Sequence, residues 1–341
     1  MERDDLLSGL LKRVSRSFYL SLAILPRPVR IPVGLAYLFA RAADTIADTR
    51  LISREARLHH LESLRAELRD ESPSRLPEII RACTGPNLRT GERELLGRLP
   101  DCFARYQELD KADRERVQTL LLTITEGMKL DLTTFPGEDE GRLVALESRQ
   151  DLDRYTYLVA GCVGEFWTEI HVAHRTRLAT WDVQKMKQKG VRFGKGLQMT
   201  NVLRDLARDL RIGRCYLPRQ ELTRLGLDPT DLLDPGAVAK VRPLIMELLA
   251  LALEHYDAGW AYTLAIPIPE WRMRLACAWP LLIGLRTLAL VAESPNLLDP
   301  ARQIKISRSV VYGILARSLV LVWSNRLLDA EARRLRARIP A

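Results

Sequence analysis

The sequence predicts an all-α protein, and three observations carry that prediction. Apolar residues recur at spacings of three and four along most of the 341 residues, as a helix with one buried face requires. Alternating β-branched runs bounded by turn signals, the mark of strands, are almost missing. Residues that stop helices gather in short clusters, which cut the chain into roughly ten helical segments.

Those clusters fall, in order, at Leu25-Pro26-Arg27-Pro28, Pro73, Thr84-Gly85-Pro86-Asn87, Phe135-Pro136-Gly137, Gly190, Ile212-Gly213, Asp228-Pro229, Asp234-Pro235-Gly236, Ile266-Pro267-Ile268-Pro269 and Ser294-Pro295-Asn296. Proline removes a backbone donor, and glycine frees the chain from helical dihedrals. No repeat of fixed period and no low-complexity linker divides two self-sufficient halves. A single domain over 1–341 is therefore expected, with its core from about residue 15 to 320 and a basic tail at 325–341.

The first helix of chemical interest runs from about Ile31 to Arg50. Tyr37, Arg41, Asp44 and Asp48 follow one another at steps of four, three and four, which places all four on one helix face. Like charges at i and i+4 cost a helix a few tenths of a kcal/mol, and aspartate is a weak helix former. Something should offset that cost.

A second such helix is expected from about Gly194 to Leu210. Gln198, Asn201, Asp205 and Asp209 form its polar stripe, beside an apolar strip of Leu197, Val202, Leu203 and Leu206. One Asp-x-x-x-Asp pair is common on exposed helices, but two pairs, each extending a polar stripe in a long apolar helix, favour a shared site. Hard divalent cations take oxygen ligands, and magnesium shares one or two carboxylates with a substrate phosphate. A magnesium-held diphosphate is the expected ligand, with Arg16, Arg41, Lys195, Arg204 and Arg214 as candidates for the remaining phosphate oxygens. The five histidines show no metal-binding spacing such as HExxH.

Composition narrows the partners. At 47% hydrophobic the chain can bury a sizeable core, and its net charge of +9, mostly from arginine, calls for an anionic partner. Basic runs interleaved with aromatics, zinc fingers and RNA-recognition signatures are all missing, so nucleic acid is not expected. The five cysteines are odd in number, widely spaced and free of CxxC pairs, which fits a reducing cytoplasm rather than a disulfide framework. The N-terminus carries acids and no continuous apolar core, unlike a secretory signal. The apolar stretches Leu275 to Ala292 and Val310 to Trp323 are interrupted by Arg286 and Arg317, and no transmembrane helix is expected. The tail from Asn325 to Ala341 reads as a solvated terminal helix in preference to a membrane-surface anchor.

Four patches give a resemblance to a known family: Ser15-Arg16-Ser17-Phe18, Asp44-Thr45-Ile46-Ala47-Asp48, the stretch YTYLVAGCVG from Tyr155 to Gly164, and LQMTNVLRDLARDLRIGRCYLP from Leu197 to Pro218. Through them the chain resembles the squalene and phytoene synthases from Ser15 to about Val311. The resemblance implies the isoprenoid synthase fold, an antiparallel helical bundle around a deep apolar cavity with prenyl diphosphates at its mouth. It also implies roles. Asp44, Asp48, Asp205 and Asp209, with Asn201, would hold magnesium; Arg16, Ser17, Phe18, Tyr37, Arg41, Gln198, Asn201 and Arg214 would bind substrate or assist diphosphate departure; Tyr157 would guide proton loss.

The segment Gln303 to Arg308 resembles the family's NADPH-contacting segment, so Lys305 and Arg308, together with Asn201, Arg204 and Arg214, are implied cofactor contacts. No dinucleotide-binding glycine motif supports this independently. Leu158 and Ala276 depart from the eukaryotic squalene synthase pattern, which has tyrosine and phenylalanine there. The implied reaction is head-to-head condensation of two farnesyl diphosphates to presqualene diphosphate and NADPH-dependent reduction to squalene. Alternatives are release of presqualene diphosphate, conversion to hydroxysqualene, or phytoene synthesis from geranylgeranyl diphosphate; a non-catalytic helical binding protein is the alternative from another class. A lipid-soluble product adds an expectation of peripheral contact at the inner face of the membrane.

Overall fold

Proline and small polar residues set where the helices begin. The computed structural model describes residues 5–15, 18–71, 74–86, 88–135 and 141–339, with only the backbone of Phe18. Arg16, Ser17, the Phe18 side chain and the expected breaks at Pro73, Asn87, Pro136 and Gly137 lie outside the described residues.

Pro28 occupies the first turn of α1 (Arg27–Asp48), where its missing N–H breaks no helical bond, so this helix starts at the proline cluster and not at Ile31. The Ser53 hydroxyl accepts from the Ala56 N–H to open α2 (Arg54–Leu68). Next come α3 (Thr90–Gly97), α4 (Leu99–Gln107), α5 (Lys111–Thr134) and a two-residue strand β1 (Val144–Ala145). Ser148 and Asp151 form a reciprocal capping box at α6 (Arg149–Thr156), which passes through a π-helical turn, Tyr157–Gly161, into α7 (Cys162–His174). The Asp182 carboxylate caps α8 (Val183–Arg204), and α9 (Leu206–Arg211) follows directly. Strand β2 (Arg214–Cys215) pairs in parallel with β1, Val144 opposite Arg214, and this is the only sheet among the described residues. The remaining helices used below are α10 (Val238–Ala265), α11 (Trp271–Glu293), α12 (Arg308–Leu321) and α13 (Asn325–Arg336). The all-α expectation holds.

The chain divides into two compact units, each built from two stretches: Met1–Leu132 with Phe166–Ala179, and Thr133–Glu165 with Thr180–Ala341. In the first, α1 packs on α2, α3 and α4. Its residues Val29, Val33, Ala36, Phe39, Ala43 and Ile46 are buried at helical spacing, and Phe39 lies 4.7 Å from Phe103 and 5.8 Å from Tyr106 between ring centres. Burying one such side chain contributes roughly 1.5–3 kcal/mol. That packing leaves the stripe from Tyr37 to Asp48 as the more open edge of α1.

In the second unit, α8 packs against α10, α11 and the π-helical turn. Helix α8 runs unbroken through Gly190, an expected break. The reason is a close crossing: a Cβ on Gly164 would lie 1.9 Å from the Gly190 carbonyl oxygen, and one on Gly194 would lie 2.1 Å from that of Ala160. Glycine here permits backbone approach instead of ending a helix.

The stretch Ile268–Glu293, which includes α11, is long and apolar enough to cross a membrane: an 18-residue window within it has a mean hydropathy of 1.8, yet 78% of that window is buried inside the structure. It is a core helix. Its buried Arg274 donates to the carbonyls of Ile266 (2.6 Å) and Val322 (3.1 Å) and to Asn325 Oδ1 (2.6 Å), which fastens the start of α13. Helix α13 buries Leu328, Ala332 and Leu335 and turns Arg333 and Arg334 outward, as a packed terminal helix does. All five cysteines are buried free thiols; burial pushes Cys102, Cys162 and Cys215 up to about 12 and Cys83 to about 11, which keeps them unreactive.

Candidate active site

In the first unit, the α1 stripe is organised around Arg41. Its guanidinium donates from Nη1 to Asp44 Oδ2 at 2.5 Å and from Nη2 to Glu92 of α3. Burial works against the Arg41 charge, but Asp44 and Glu92 outweigh it and raise the pKa above the ordinary arginine value. The Tyr37 phenol is also raised, first by burial, with Arg41 opposing and Asp44 adding. The two carboxylates on Arg41 differ in setting: the Glu92 side chain is 16% exposed and that of Asp44 40%. Glu92 anchors the arginine from inside, while Asp44 remains reachable from solvent. Asp48, one turn on, is exposed.

In the second unit, the expected single helix from Gly194 to Leu210 is two helices, α8 and α9, separated at Asp205 with φ −97° and ψ 7°. Aspartate is a weak helix former. Its carboxylate is also engaged locally, in a fork with the preceding residue: Arg204 Nε to Oδ1 at 2.9 Å and Nη2 to Oδ2 at 2.5 Å. This side-chain bond with Asp205 is the leading reason that the Arg204 pKa is raised, ahead of the opposing effect of burial. The turn phase nevertheless carries across the break. The Asp205 N–H donates to the Asn201 carbonyl and the Asp209 N–H to the Asp205 carbonyl, both at 2.9 Å.

Upstream on α8, Asn201 Nδ2 donates to Gln198 Oε1 (3.2 Å), and Gln198 Nε2 donates to the Tyr155 hydroxyl (3.3 Å). The Tyr155 ring stacks on Tyr216 at 4.6 Å, and Tyr216 meets Phe135 edge-on at 5.2 Å. Three buried aromatics therefore fix the outer end of this amide chain. Gly213, at φ +82°, makes the turn that delivers Arg214 into β2.

Tyr157 opens the π-helical turn and donates its hydroxyl proton to Glu165 Oε2 at 2.9 Å. Burial first, and the Glu165 carboxylate second, push its pKa to about 12, so the phenol stays protonated at neutral pH. Lys195 Nζ stands 5.9 Å from the Tyr157 ring centre and pairs with Asp153 at 2.6 Å. Lys305 and Arg308 are exposed, the first in a segment without regular structure and the second at the first residue of α12.

The structure thus brings Tyr37, Arg41 and Asp44 together in one unit, and Gln198 with Asn201, and Arg204 with Asp205, in the other. Arg204, expected at a phosphate, has its fork committed to Asp205. Two carboxylates escaped sequence reasoning. Glu92 is 51 residues from Arg41, and Glu165 is eight residues from Tyr157 across a π-helical turn, so neither belongs to a helical stripe with its partner.

Each unit by itself carries residues that fit magnesium. Asp44 and Asp48 in the first, and Asp205 and Asp209 in the second, offer hard carboxylate oxygens, and each oxygen engaged by an arginine retains a second lone pair. The Asp205 side chain is 30% exposed, which leaves room for a hydrated ion. Lys305 and Arg308 suit the phosphates of a dinucleotide by charge; a glycine-rich cradle is not in the sequence.

Comparison with known proteins decides the family. The squalene/phytoene synthase family model matches residues 11–310. The chain belongs to the squalene/phytoene synthase family. Within it, the chain is 26% identical to the squalene synthase of Eremothecium gossypii over 334 residues, covering 97% of this chain and 71% of the relative. It is 29% identical over 268 residues to the bifunctional lycopene cyclase/phytoene synthase of Phaeosphaeria nodorum, covering 76% of this chain and 41% of the relative's length. The solved structure of TcSQS with the ligand E5700 superposes with a TM-score of 0.78 at 26% identity, over 99% of this chain and 93% of that one. A dehydrosqualene synthase structure, at 22% identity and a TM-score of 0.64 over 94% of this chain and 97% of that one, shares the fold. The helices described above therefore form the isoprenoid synthase fold of a squalene/phytoene synthase family member.

Proposed function

We propose that the chain condenses two farnesyl diphosphates head to head to presqualene diphosphate and reduces this with NADPH to squalene. The observation that carries the reading is the similarity to squalene synthases over nearly all of this chain, 97% in sequence and 99% in structure. Four carboxylates at the two family motifs support it. The setting proposed is cytoplasmic.

In this reading Asp44, Asp48, Asp205 and Asp209, with Asn201, hold magnesium, and Arg16, Ser17, Phe18, Tyr37, Arg41, Gln198 and Arg214 hold substrate. Magnesium, when bound, supplies positive charge that stabilises the departing diphosphate. Arg41, fixed by Glu92, adds a preorganised guanidinium for the same developing charge. Tyr157 already directs its proton at Glu165, which keeps the phenol oxygen's lone pairs available. The second molecule's double bond attacks the allylic cation, and the phenol oxygen accepts the proton that the coupled cation loses as the cyclopropane closes, while its own proton passes to Glu165. Lys305 and Arg308, with Asn201, Arg204 and Arg214, are the residues assigned to NADPH.

Incubation with farnesyl diphosphate and magnesium, with and without NADPH, tests the reading. Squalene formed only with NADPH is the expected result. A second reading, phytoene synthesis from geranylgeranyl diphosphate, draws on the 29% identity to the bifunctional phytoene synthase; conversion of that substrate with no turnover of farnesyl diphosphate would establish it and overturn the first. Release of presqualene diphosphate or hydroxysqualene despite NADPH would remove the reductive step.

Glu92 supplies a separate test. Glu92→Gln removes the inner charge on Arg41, and a charge-assisted bond of this kind is worth about 1.5–3 kcal/mol. The melting temperature should drop by a few degrees, and turnover per KM by about tenfold or more at temperatures where the variant stays folded. Unaltered kinetics would dissociate Glu92 from the reaction.

A further inference from the structure

Helix α12 is apolar on both sides yet buried on one. Ile314 and Ser318 are its buried residues, and Val322 just beyond it continues their line. Helical spacing puts Tyr312, Ala316, Leu319, Val320 and Trp323 on the opposite side. There Tyr312 is 63%, Val320 73% and Trp323 53% exposed. Soluble helices place polar residues on that side. The apolar surface extends to Leu327 on α13, exposed like Leu319, and to Trp271, whose ring centre lies 5.7 Å from that of Trp323.

The stretch of chain that carries this face is basic. Between Asp299 and Asp329 the chain carries Arg302, Lys305, Arg308, Arg317 and Arg326 and no acidic side chain. Lys305 and Arg308 are assigned above to NADPH; independently of that assignment, Arg317 lies within α12 and Arg326 beside Leu327, while Arg302 pairs with Asp299 at 3.3 Å. Arg326 has no carboxylate partner among the described residues, and Arg317 reaches only Glu331 at 3.8 Å, which Arg334 already holds at 2.7 Å.

We infer that the outward face of α12, with Trp323 and Leu327, docks peripherally on an anionic lipid surface. Apolar side chains with interfacial tyrosine and tryptophan, ringed by arginine, match the boundary between acyl chains and acidic headgroups. A second copy of the chain would bring Lys305, Arg308 and Arg326, which have no carboxylate partner among the described residues, against their own counterparts, which disfavours self-association through this face. The inference names the face for the expected membrane contact and does not depend on the reaction assigned.

The test is flotation of the purified full chain with phosphatidylcholine vesicles, with and without phosphatidylglycerol, in low salt and without substrate. The protein should float with the anionic vesicles, and less as salt rises. The double variant Tyr312→Glu, Val320→Glu should lower the bound fraction at least about tenfold, with circular dichroism and thermal melting unchanged because both side chains already face water. No flotation of the unaltered chain, equal flotation by a folded double variant, or equal binding to neutral vesicles would overturn the inference. A dimer by light scattering that the double variant dissolves would overturn it too, by giving the face to a second copy. None of these readouts requires turnover, so failure here is separable from failure of the proposed reaction.

Discussion

Asp205→Asn is expected to lower condensation of farnesyl diphosphate by at least about a hundredfold to a thousandfold, the effect of losing one preorganised stabiliser of transition-state charge. The substitution keeps the size of the side chain and one acceptor oxygen. It removes the charge that faces the Arg204 fork and the second hard oxygen proposed for magnesium. Stability should change little, since both partners are about a third exposed and such pairs contribute about 1 kcal/mol or less. Asp44→Asn should behave likewise. There Arg41 retains Glu92, so the arginine stays in place while the carboxylate chemistry is lost. Steady-state turnover with thermal melting checks both variants. A folded Asp205→Asn protein with unchanged turnover would end the assignment of this carboxylate to magnesium.

The second large effect belongs to the glycine crossing. In an isolated helix Gly→Ala is stabilising by up to about 1 kcal/mol. Gly194→Ala should instead destabilise, because its Cβ would meet the Ala160 carbonyl oxygen at 2.1 Å and the carbonyl carbon at 2.6 Å. Backbone on both sides cannot swing away like a side chain, so α8 and the π-helical turn must separate. Overpacking of this kind costs roughly 1–3 kcal/mol or more, read as a melting temperature lower by several degrees. The turn that would move carries Tyr157, so turnover should fall beyond the loss of stability. Gly313→Ala is the control: it lies in α12 with no atom within 4 Å of its added methyl, and its melting temperature should rise. A rise for Gly194→Ala as well would mean the crossing is looser than described.

The residues that could be read in advance are those whose chemistry and period coincide. Tyr37, Arg41, Asp44 and Asp48 share one face of one helix, so spacing alone predicted the stripe, and the apolar positions between them marked the side that packs. The second stripe was legible in content but not in shape. Nothing local distinguishes an aspartate within a helix from one that ends it, and the break at Asp205 follows from its dihedrals and its fork with Arg204. Gly190 was misplaced for a related reason: glycine both stops helices and lets them touch, and only the partner backbone at Gly164 decides which. Glu92 and Glu165 were invisible because tertiary packing and a π-helical turn, not period, bring them to Arg41 and Tyr157. The outward face of α12 was apolar in plain view; which side would lack a cover depends on how α11 and α13 pack against it.

Carboxylates from both family motifs are proposed to bind a prenyl diphosphate through magnesium. Calorimetric titration of the full chain with a non-hydrolysable farnesyl thiodiphosphate, with and without magnesium, tests it most directly and needs no turnover. Binding that requires magnesium, and that weakens at least about tenfold in both Asp44→Asn and Asp205→Asn, is the predicted result. Equally tight binding in magnesium-free buffer, or in both folded variants, would contradict it.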